Sequence, residues 1–442
     1  MKIAIVGSGI SGLGAAWALD RVHDVTLFEA AARPGGHANT VTVAVEGRTV
    51  DVDTGFIVYN EANYPNLVRL FGALGVATEP SDMSFGVSLD GGRREYAGSL
   101  PGLLAQPANL ARPDYWRMLR DVARFFRTAE ALLYEPDAET LSLRDWLDRE
   151  GYSRAFREDH LLPMGAAIWS ATLAQMLDFP AASFVRFFRN HALLEFGGRP
   201  AWRTVSGGSR RYVERIAARL GDRLRLATPI RGIQRHAAGV DVTIADGAVE
   251  RFDAVVLATH ATRTLSLLGV QAREAEWAVL SAFRYQPNVA VLHRDRSLMP
   301  RRRATWSSWN YLADRQVGGD RAVCVSYWMN RLQNIVQPAD LFVTLNPIRP
   351  IDPALELGRF AYDHPLFDTA AIAAQGRLPE IQGIGGVWFC GSYCGNGFHE
   401  DGLQAGLEVA AALGAPAPWA SEIRPVSPAR HAVSPLLAEA AE

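Results

Sequence analysis

The hydrophobic pattern changes period along the chain, and each change marks a different kind of element. Residues Ile3 to Val6 form a short apolar run, Gly7, Gly9, Gly12 and Gly14 follow, and an Ala/Leu-rich stretch then continues to Leu19. A second apolar run, Val25 to Glu29, ends on an acid. This succession predicts strand, tight turn, helix and strand. Between about residues 100 and 200 the period becomes helical. Trp116, Leu119, Val122, Phe125, Phe126, Ala129, Leu132 and Leu133 make an apolar stripe, with Arg117, Arg120, Arg124 and Arg127 elsewhere on the turn. Such a stripe is either core or an amphipathic face that covers an apolar substrate or a membrane surface. From about residue 225 strand patterns return. Leu224 to Leu226, Ile230 to Arg235, Val240 to Ile244 and Ala254 to Ala258 predict a sheet joined to the first lobe, and Val289 to Leu292, Val323 to Tyr327 and Phe342 to Leu345 predict a second.

The glycines carry the first chemical signal. Gly7 permits the tight turn, Gly9 lets backbone approach a pyrophosphate, Gly12 lets the helix pack on the strand, and the helix N-terminus presents N–H groups to phosphate. Glu29, about twenty residues on, is placed to accept from a ribose hydroxyl. Near the other end, "WFCGSYCGNGFHEDGLQAG" puts His399, Glu400 and Asp401 between glycines and an apolar helical run. Trp388 to Cys390 reads as a strand, Gly391 to Gly397 as a loop, and Asp401 with Gln404 as a capping box for a helix starting at Gly402. The positive end of that helix would favour a negatively charged group lying before it.

The stretches "EAAARPGGHANT" and "VDVDTGFIVYN" follow the ribose-binding acid, and "FDAVVLATH" comes later with His260 where a glycine is usual. Together with the first glycines they resemble the FAD-binding amine oxidase and phytoene desaturase superfamily. The resemblance implies an α/β fold, a Rossmann-like FAD-binding domain of the glutathione-reductase and amine-oxidase type, with a mixed-sheet and helical substrate domain. It implies FAD as cofactor, held by Gly7, Gly9, Ser11, Gly12, Glu29, Ala30, Arg33, Gly35, Gly36, His37, Thr54, Gly55, Phe56, Ile230, Ala258, Thr259, Gly391, Ser392, Gly402 and Leu403. The FAD-binding domain is expected over 1–75, 205–270 and 380–414, the substrate domain over 76–204 and 271–379 with a helical insertion at about 100–200, and a Pro/Ala-rich, partly mobile tail over 415–442.

Longer stretches, among them "DTGFIVYNEANYPNLVRLFGALGV", "LLPMGAAIWSA", "SLMPRRRATWSSWNY" and "GFHEDGLQAGLEVA", resemble a narrower bacterial family of flavoproteins associated with cyclopropane-fatty-acid-synthase-like methyltransferases. That resemblance implies oxidation or desaturation of a fatty acyl chain or phospholipid, a lipid methyltransferase as partner, and peripheral contact with the inner face of the membrane. Oxidation of an amine or other small molecule, and a non-redox role as a double-bond isomerase or as an FAD-stabilised partner of a methyltransferase, remain open. Many amine oxidases of the superfamily set a lysine beside flavin N5; here Lys2, in the first strand, is the only lysine.

Composition narrows the classes further. The 442 residues, 48% of them hydrophobic, suffice for a large core, and a net charge of −2 gives no electrostatic case for nucleic acid. Cys324, Cys390 and Cys394 make neither a disulfide framework nor a zinc site, and no metal is expected. A cytoplasmic protein without signal peptide, membrane span or second nucleotide fingerprint is the expectation. Cys394 reads as a plain loop cysteine, with attachment to flavin the alternative. Trp169, Phe179, Phe184, Phe187, Phe188 and Phe196 line an acyl channel or fill a core. Arg303, in "RRR", with Trp309 and Asn310, binds an anionic head group or is a solvated turn. Phe188, Arg303, Trp309 and Asn310 are thus the candidate substrate contacts. His399, whose type titrates near neutrality, and Glu400 are the candidate catalytic pair, or else they brace the cofactor loop.

Overall fold

The computed structural model describes residues 1–169, 171–195, 200–315, 321–336 and 338–422. A parallel sheet of five strands carries the first lobe, in the order Leu224–Arg225, Asp24–Phe28, Lys2–Val6, Ala254–Leu257, Val387–Phe389. Strands buried on both faces read as continuous apolar runs, as Ile3 to Val6 and Ala254 to Leu257 do. The helix Ile10–Leu19 covers one face and is packed against the last helix, His399–Ala412.

Ile230–His236 and Gly239–Ile244 do not join that sheet. They form an antiparallel sheet of their own with Val249–Phe252, because their buried and exposed residues alternate and only one face has a partner layer.

The second lobe is built on a sheet of seven strands, in the order Glu356–Leu366, Arg284–His293, Phe342–Leu345, Arg321–Trp328, Trp309–Arg315, Phe85–Leu89, Arg94–Ala97. Helices between residues 100 and 190 pack on it around a separate aromatic core. The helix Pro113–Thr128 buries Tyr115, Met118, Asp121 and Phe125, with Leu119, Val122 and Phe126 partly buried on the same core and Ala129 and Leu132 buried just beyond, so the expected stripe is core apart from its first residue. Trp116 is left 53% exposed. The tail is packed as far as residue 422: Trp419 stacks on Trp17 at 5.2 Å and donates to Asn66 Oδ1 at 3.0 Å. Phe196 and residues 423–442 lie outside the described residues.

Candidate active site

A cavity of about 560 Å³ lies between the lobes. At one end its wall is the turn Gly7–Ser11, Glu29, Gly36, His37, Ala258 and Thr259; at the other it is Met83, Phe85, Met164, Ile168, Trp169, Phe187, Leu193, Trp202, Trp309 and Tyr327. Thr54 to Phe56, Gly391, Ser392 and His399 also line it.

The polar end is shaped by backbone. Gly7 has φ of +103°, and a Cβ there would meet Ala258 O at 2.7 Å. A Cβ on Gly12 would lie 1.9 Å from Gly7 O, so the helix can approach the turn only with glycine at that position. A Cβ on Gly9 would meet nothing within 4 Å: it would stand in the cavity, where the bare backbone leaves room for a bulky group. The first helix therefore presents its N-terminus to open space, a setting suited to phosphate. Glu29 Oε2 accepts from Ser8 N at 2.9 Å and Oε1 from Ala31 N at 2.8 Å, which fixes the carboxylate at the strand end. Gly36 approaches Gly9, with a Cβ on it only 3.1 Å from Gly9 Cα. Gly55 is held against His37, where a Cβ would lie 2.3 Å from His37 O. These bare-backbone segments and the fixed acid fit a dinucleotide cofactor.

Several expected cofactor contacts stand behind the wall instead of in it. Ala30 and Arg33 are exposed, and Arg33 Nη2 donates to Gly36 O at 2.9 Å. Gly35 packs on Val213, and Ile230 is core, its carbonyl accepting from Arg263 at 2.8 Å. Gly12, Gly402 and Leu403 serve helix packing: Gly402 faces Ile10 and Ser11, and Leu403 fills the space over Gly14.

The last helix begins at His399, with Phe398 as its cap residue, so neither a start at Gly402 nor Asp401 as the cap holds. Asp401 occupies the third position and accepts from Phe398 N at 2.9 Å, while Gln404 donates to Glu408. Glu400 turns away from the cavity. It accepts from Asn66 N and Nδ2, both at 2.8 Å, and from Leu67 N at 3.0 Å, which caps the helix Pro65–Leu74. Burial pushes its carboxyl up to about 7. Its place as a catalytic residue is thereby corrected: two exposed-looking neighbours in the sequence sit on different sides of a helix turn.

His399 does line the cavity. Its ring stacks on Phe56 with centroids 3.8 Å apart, and Nε2 lies 2.8 Å from Tyr212 Oη. Burial lowers its pKa to about 3, so the expected titration near neutrality does not apply. His191 and His364, also in the wall, are each held at about 4 by burial. His37 is lowered well below its ordinary value, first by burial and then by His364. Their rings are neutral at pH 7.

Among the substrate candidates, Trp309 lines the cavity and three others do not. Phe188 is 1% exposed, stacked on Phe184 at 4.3 Å and edge-on to Phe125, so it is core. Phe187, one residue earlier and about 100° around the helix, takes the wall position. Arg303 is paired with Asp340 at 3.1 Å and lies over Trp306 at 3.8 Å. Asn310 closes a loop through Ser307 and Ser326. Cys394 is buried beside the cavity wall.

Of the aromatics expected to line a channel or fill a core, Trp169 and Phe187 are in the wall; the sequence reading missed His191, Tyr362 and His364 as wall residues. Tyr362 and His364 are two apart on a strand, so their common face was available from the alternation. Tyr362 Oη bonds Thr54 Oγ1 at 2.7 Å and accepts from Asn39 Nδ2 at 2.9 Å, tying that strand to the glycine segment.

The sequence profile described as "Flavin containing amine oxidoreductase" matches residues 10–293. The chain belongs to that family. Its cofactor is FAD, which the bare-backbone end of the cavity fits. A Mycobacterium tuberculosis protein provisionally named flavin-containing monoamine oxidase AofH is 29% identical over 257 residues, 57% of this chain and 55% of that protein. L-amino acid dehydrogenase of Synechocystis is 26% identical over 259 residues, 57% of this chain and 54% of that one. The chain thus matches about half the length of these relatives. In fold it is similar to putrescine oxidase (TM-score 0.66, 16% identity, 94% of this chain and 99% of that one). It is also similar to the fatty acid isomerase of P. acnes (TM-score 0.61, 16% identity, 91% and 96%). No helix among the described residues is long and apolar enough to cross a membrane.

Proposed function

We propose that the chain is an FAD-dependent oxidoreductase whose substrate is a fatty acyl chain, free or within a phospholipid. The observation that carries this is the far end of the cavity, where Met164, Ile168, Trp169, Phe187, Leu193, Trp202 and Trp309 leave a continuous apolar wall. FAD, when bound, supplies a two-electron acceptor for a hydride from a substrate C–H bond. The turn Gly7–Ser11 and the first helix would hold its pyrophosphate, Glu29 a ribose, and Gly36, His37, Thr54 to Phe56 and Ser392 the flavin end. The apolar wall excludes water and holds the chain.

Desaturation also releases a proton. His191 Nδ1 lies 2.9 Å from Phe187 O; a carbonyl only accepts, so Nδ1 carries the hydrogen and Nε2 has the lone pair that relays that proton onward to water, since burial, which holds the ring at about 4, keeps it from retaining the charge. His364 is set the other way, since Asn288 Nδ2 donates to its Nδ1 at 2.8 Å. His399, neutral and stacked, orients the substrate beside the cofactor ring.

Amine oxidation is the second reading, and it is favoured by Asp363, a half-exposed carboxylate in the wall 4.0 Å from His260, and by the names of the relatives. Partnership with a lipid methyltransferase belongs to the acyl reading and is tested by co-purification. Chain length tests the acyl reading itself. Anaerobic flavin reduction should quicken as the acyl chain lengthens, and Leu193→Trp should shorten the longest chain accepted. Equal rates for short and long chains in both proteins would contradict it.

A further inference from the structure

We propose that the face formed by the helices Leu100–Leu104 and Pro107–Leu110 and the start of Pro113–Thr128 docks on an anionic lipid bilayer. Leu100 is 72% exposed, Leu104 47%, Leu110 36% and Trp116 53%. Large apolar side chains in water are ordinary when scattered, but these form one surface. Trp116 Nε1 donates to Leu110 O at 2.8 Å, and Tyr115 Oη donates to Leu103 O at 2.9 Å, so the three helices are tied together with their apolar side chains outward.

Arginines outnumber acids along the helix edge of this face, although Arg117 shares a surface pocket with Asp114 and Glu158. Arg112, Arg117 and Arg120 flank Trp116 in the chain, and Arg117 and Arg120 are exposed. Arg301 joins them through Glu95, which accepts from Arg301 N at 2.7 Å and donates its own N–H to Gln106 at 2.6 Å. Among the described residues Arg112, Arg117 and Arg301 make no ion pair. The acids nearby are engaged: Asp114 by buried Arg94, and Asp121 by Ser153 N and, at 3.8 Å, by Arg120. Apolar side chains flanked by the exposed guanidinium groups of Arg117 and Arg120 match the acyl boundary and anionic head groups of a bilayer, with about 1 kcal/mol per cation available from the surface potential.

The face also adjoins the cavity. Gly98, which precedes the first of these helices, donates to Phe85 O at 2.9 Å, and Phe85 lines the cavity. A bilayer on this face would lie beside the apolar end, which gives an acyl chain a short path from membrane to site. That link rests on the acyl reading; the docking surface does not.

The test is co-sedimentation of the full chain with phosphatidylglycerol vesicles and with phosphatidylcholine vesicles, at low and at high salt. The wild type should bind the anionic vesicles, more weakly as salt rises, and bind neutral ones little. Leu100→Glu with Trp116→Glu, and separately Arg117→Glu with Arg120→Glu, should each weaken binding at least about tenfold. Flavin content and reduction by a detergent-dispersed fatty acid should stay unchanged. Wild type that ignores anionic vesicles, or variants that bind as the wild type does, would overturn the proposal. So would a change of oligomeric state in the first variant without vesicle binding in the wild type, which would assign the face to a protein. Vesicle binding without flavin reduction by any acyl compound would leave docking standing and remove the acyl reading instead.

Discussion

The His399 imidazole is stacked on Phe56 and bonded to Tyr212, and there its pKa falls to about 3. A group uncharged from pH 5 to 8 cannot give the inflection near neutrality that an ordinary histidine would give. The rate of anaerobic flavin reduction should therefore have the same pH profile in wild type and His399→Asn, at a lower level in the variant. An inflection near pH 6.5 present in the wild type and absent from the variant would show that His399 titrates in catalysis. Glu400 makes the opposite case. Removing its acceptors in Glu400→Ala leaves the Asn66 and Leu67 N–H groups buried without partners, at about 1–3 kcal/mol, and Glu400→Gln should lose less. Its folded pKa, about 7, is raised above the unfolded value of 4.5, so folding takes up a proton between those values. Wild type should lose stability relative to Glu400→Gln as pH rises from 4.5 to 7, read by denaturant titration at several pH values. The roles of Gly7, Gly9 and Glu29 were legible because turn and strand-end chemistry is local. The roles of His399 and Glu400 were not, since each is decided by residues far away in the chain, Tyr212 and Asn66.

Helix contacts explain the element-scale successes and errors alike. The first and last helices meet through small residues: a Cβ on Gly406 would lie 2.1 Å from Ser11 O, and one on Gly402 2.9 Å from Ser11 Oγ. The sequence showed the glycines near both ends of the chain but not that they face each other. Gly406→Ala should force these helices apart at about 1–3 kcal/mol. Because Ser11 lines the cavity, the variant should also lose FAD, seen as a lower flavin-to-protein ratio and a lower melting temperature. Retention of both would mean that the contact can relax. The strands of the first sheet were legible, since apolar runs have short periods, but of the second sheet only Arg284–His293, Arg321–Trp328 and Phe342–Leu345 were, and Phe85–Leu89, Arg94–Ala97, Trp309–Arg315 and Glu356–Leu366 were not. Rotation about a helix axis was harder to read: a helix rich in aromatics on several sides, such as Ala181–Asn190 with Phe184, Phe187 and Phe188 all buried, does not declare which of them meets a cavity. Trp116 was placed on the inward stripe for the same reason, although the rest of that stripe is core.

Over the whole molecule, buried titratable groups set the response to acid. His191, His293 and His364 have folded pKa values of about 4 and His399 about 3, against 6.5 unfolded. Below pH 6.5 the unfolded chain binds protons that the folded chain refuses, so stability is lost as pH falls toward 4. Glu400 and Asp53, raised to about 7 and about 6, act in the opposite sense but are fewer. The melting temperature should therefore fall between pH 7 and pH 5, and a flat or rising profile would contradict this balance. The same burial gives the cavity its character, with neutral histidine rings and apolar side chains over most of the wall and Asp363 as its half-exposed carboxylate. The polar end of that cavity fits the cofactor of the family, and the proposal of an acyl substrate rests on the far end. The most direct measurement is anaerobic mixing of the purified, FAD-loaded chain with a long-chain fatty acid or phospholipid and, separately, with a primary amine, while the flavin absorbance is followed. Stable bleaching by the acyl compound and none by the amine is the predicted result; bleaching by the amine alone would contradict the account.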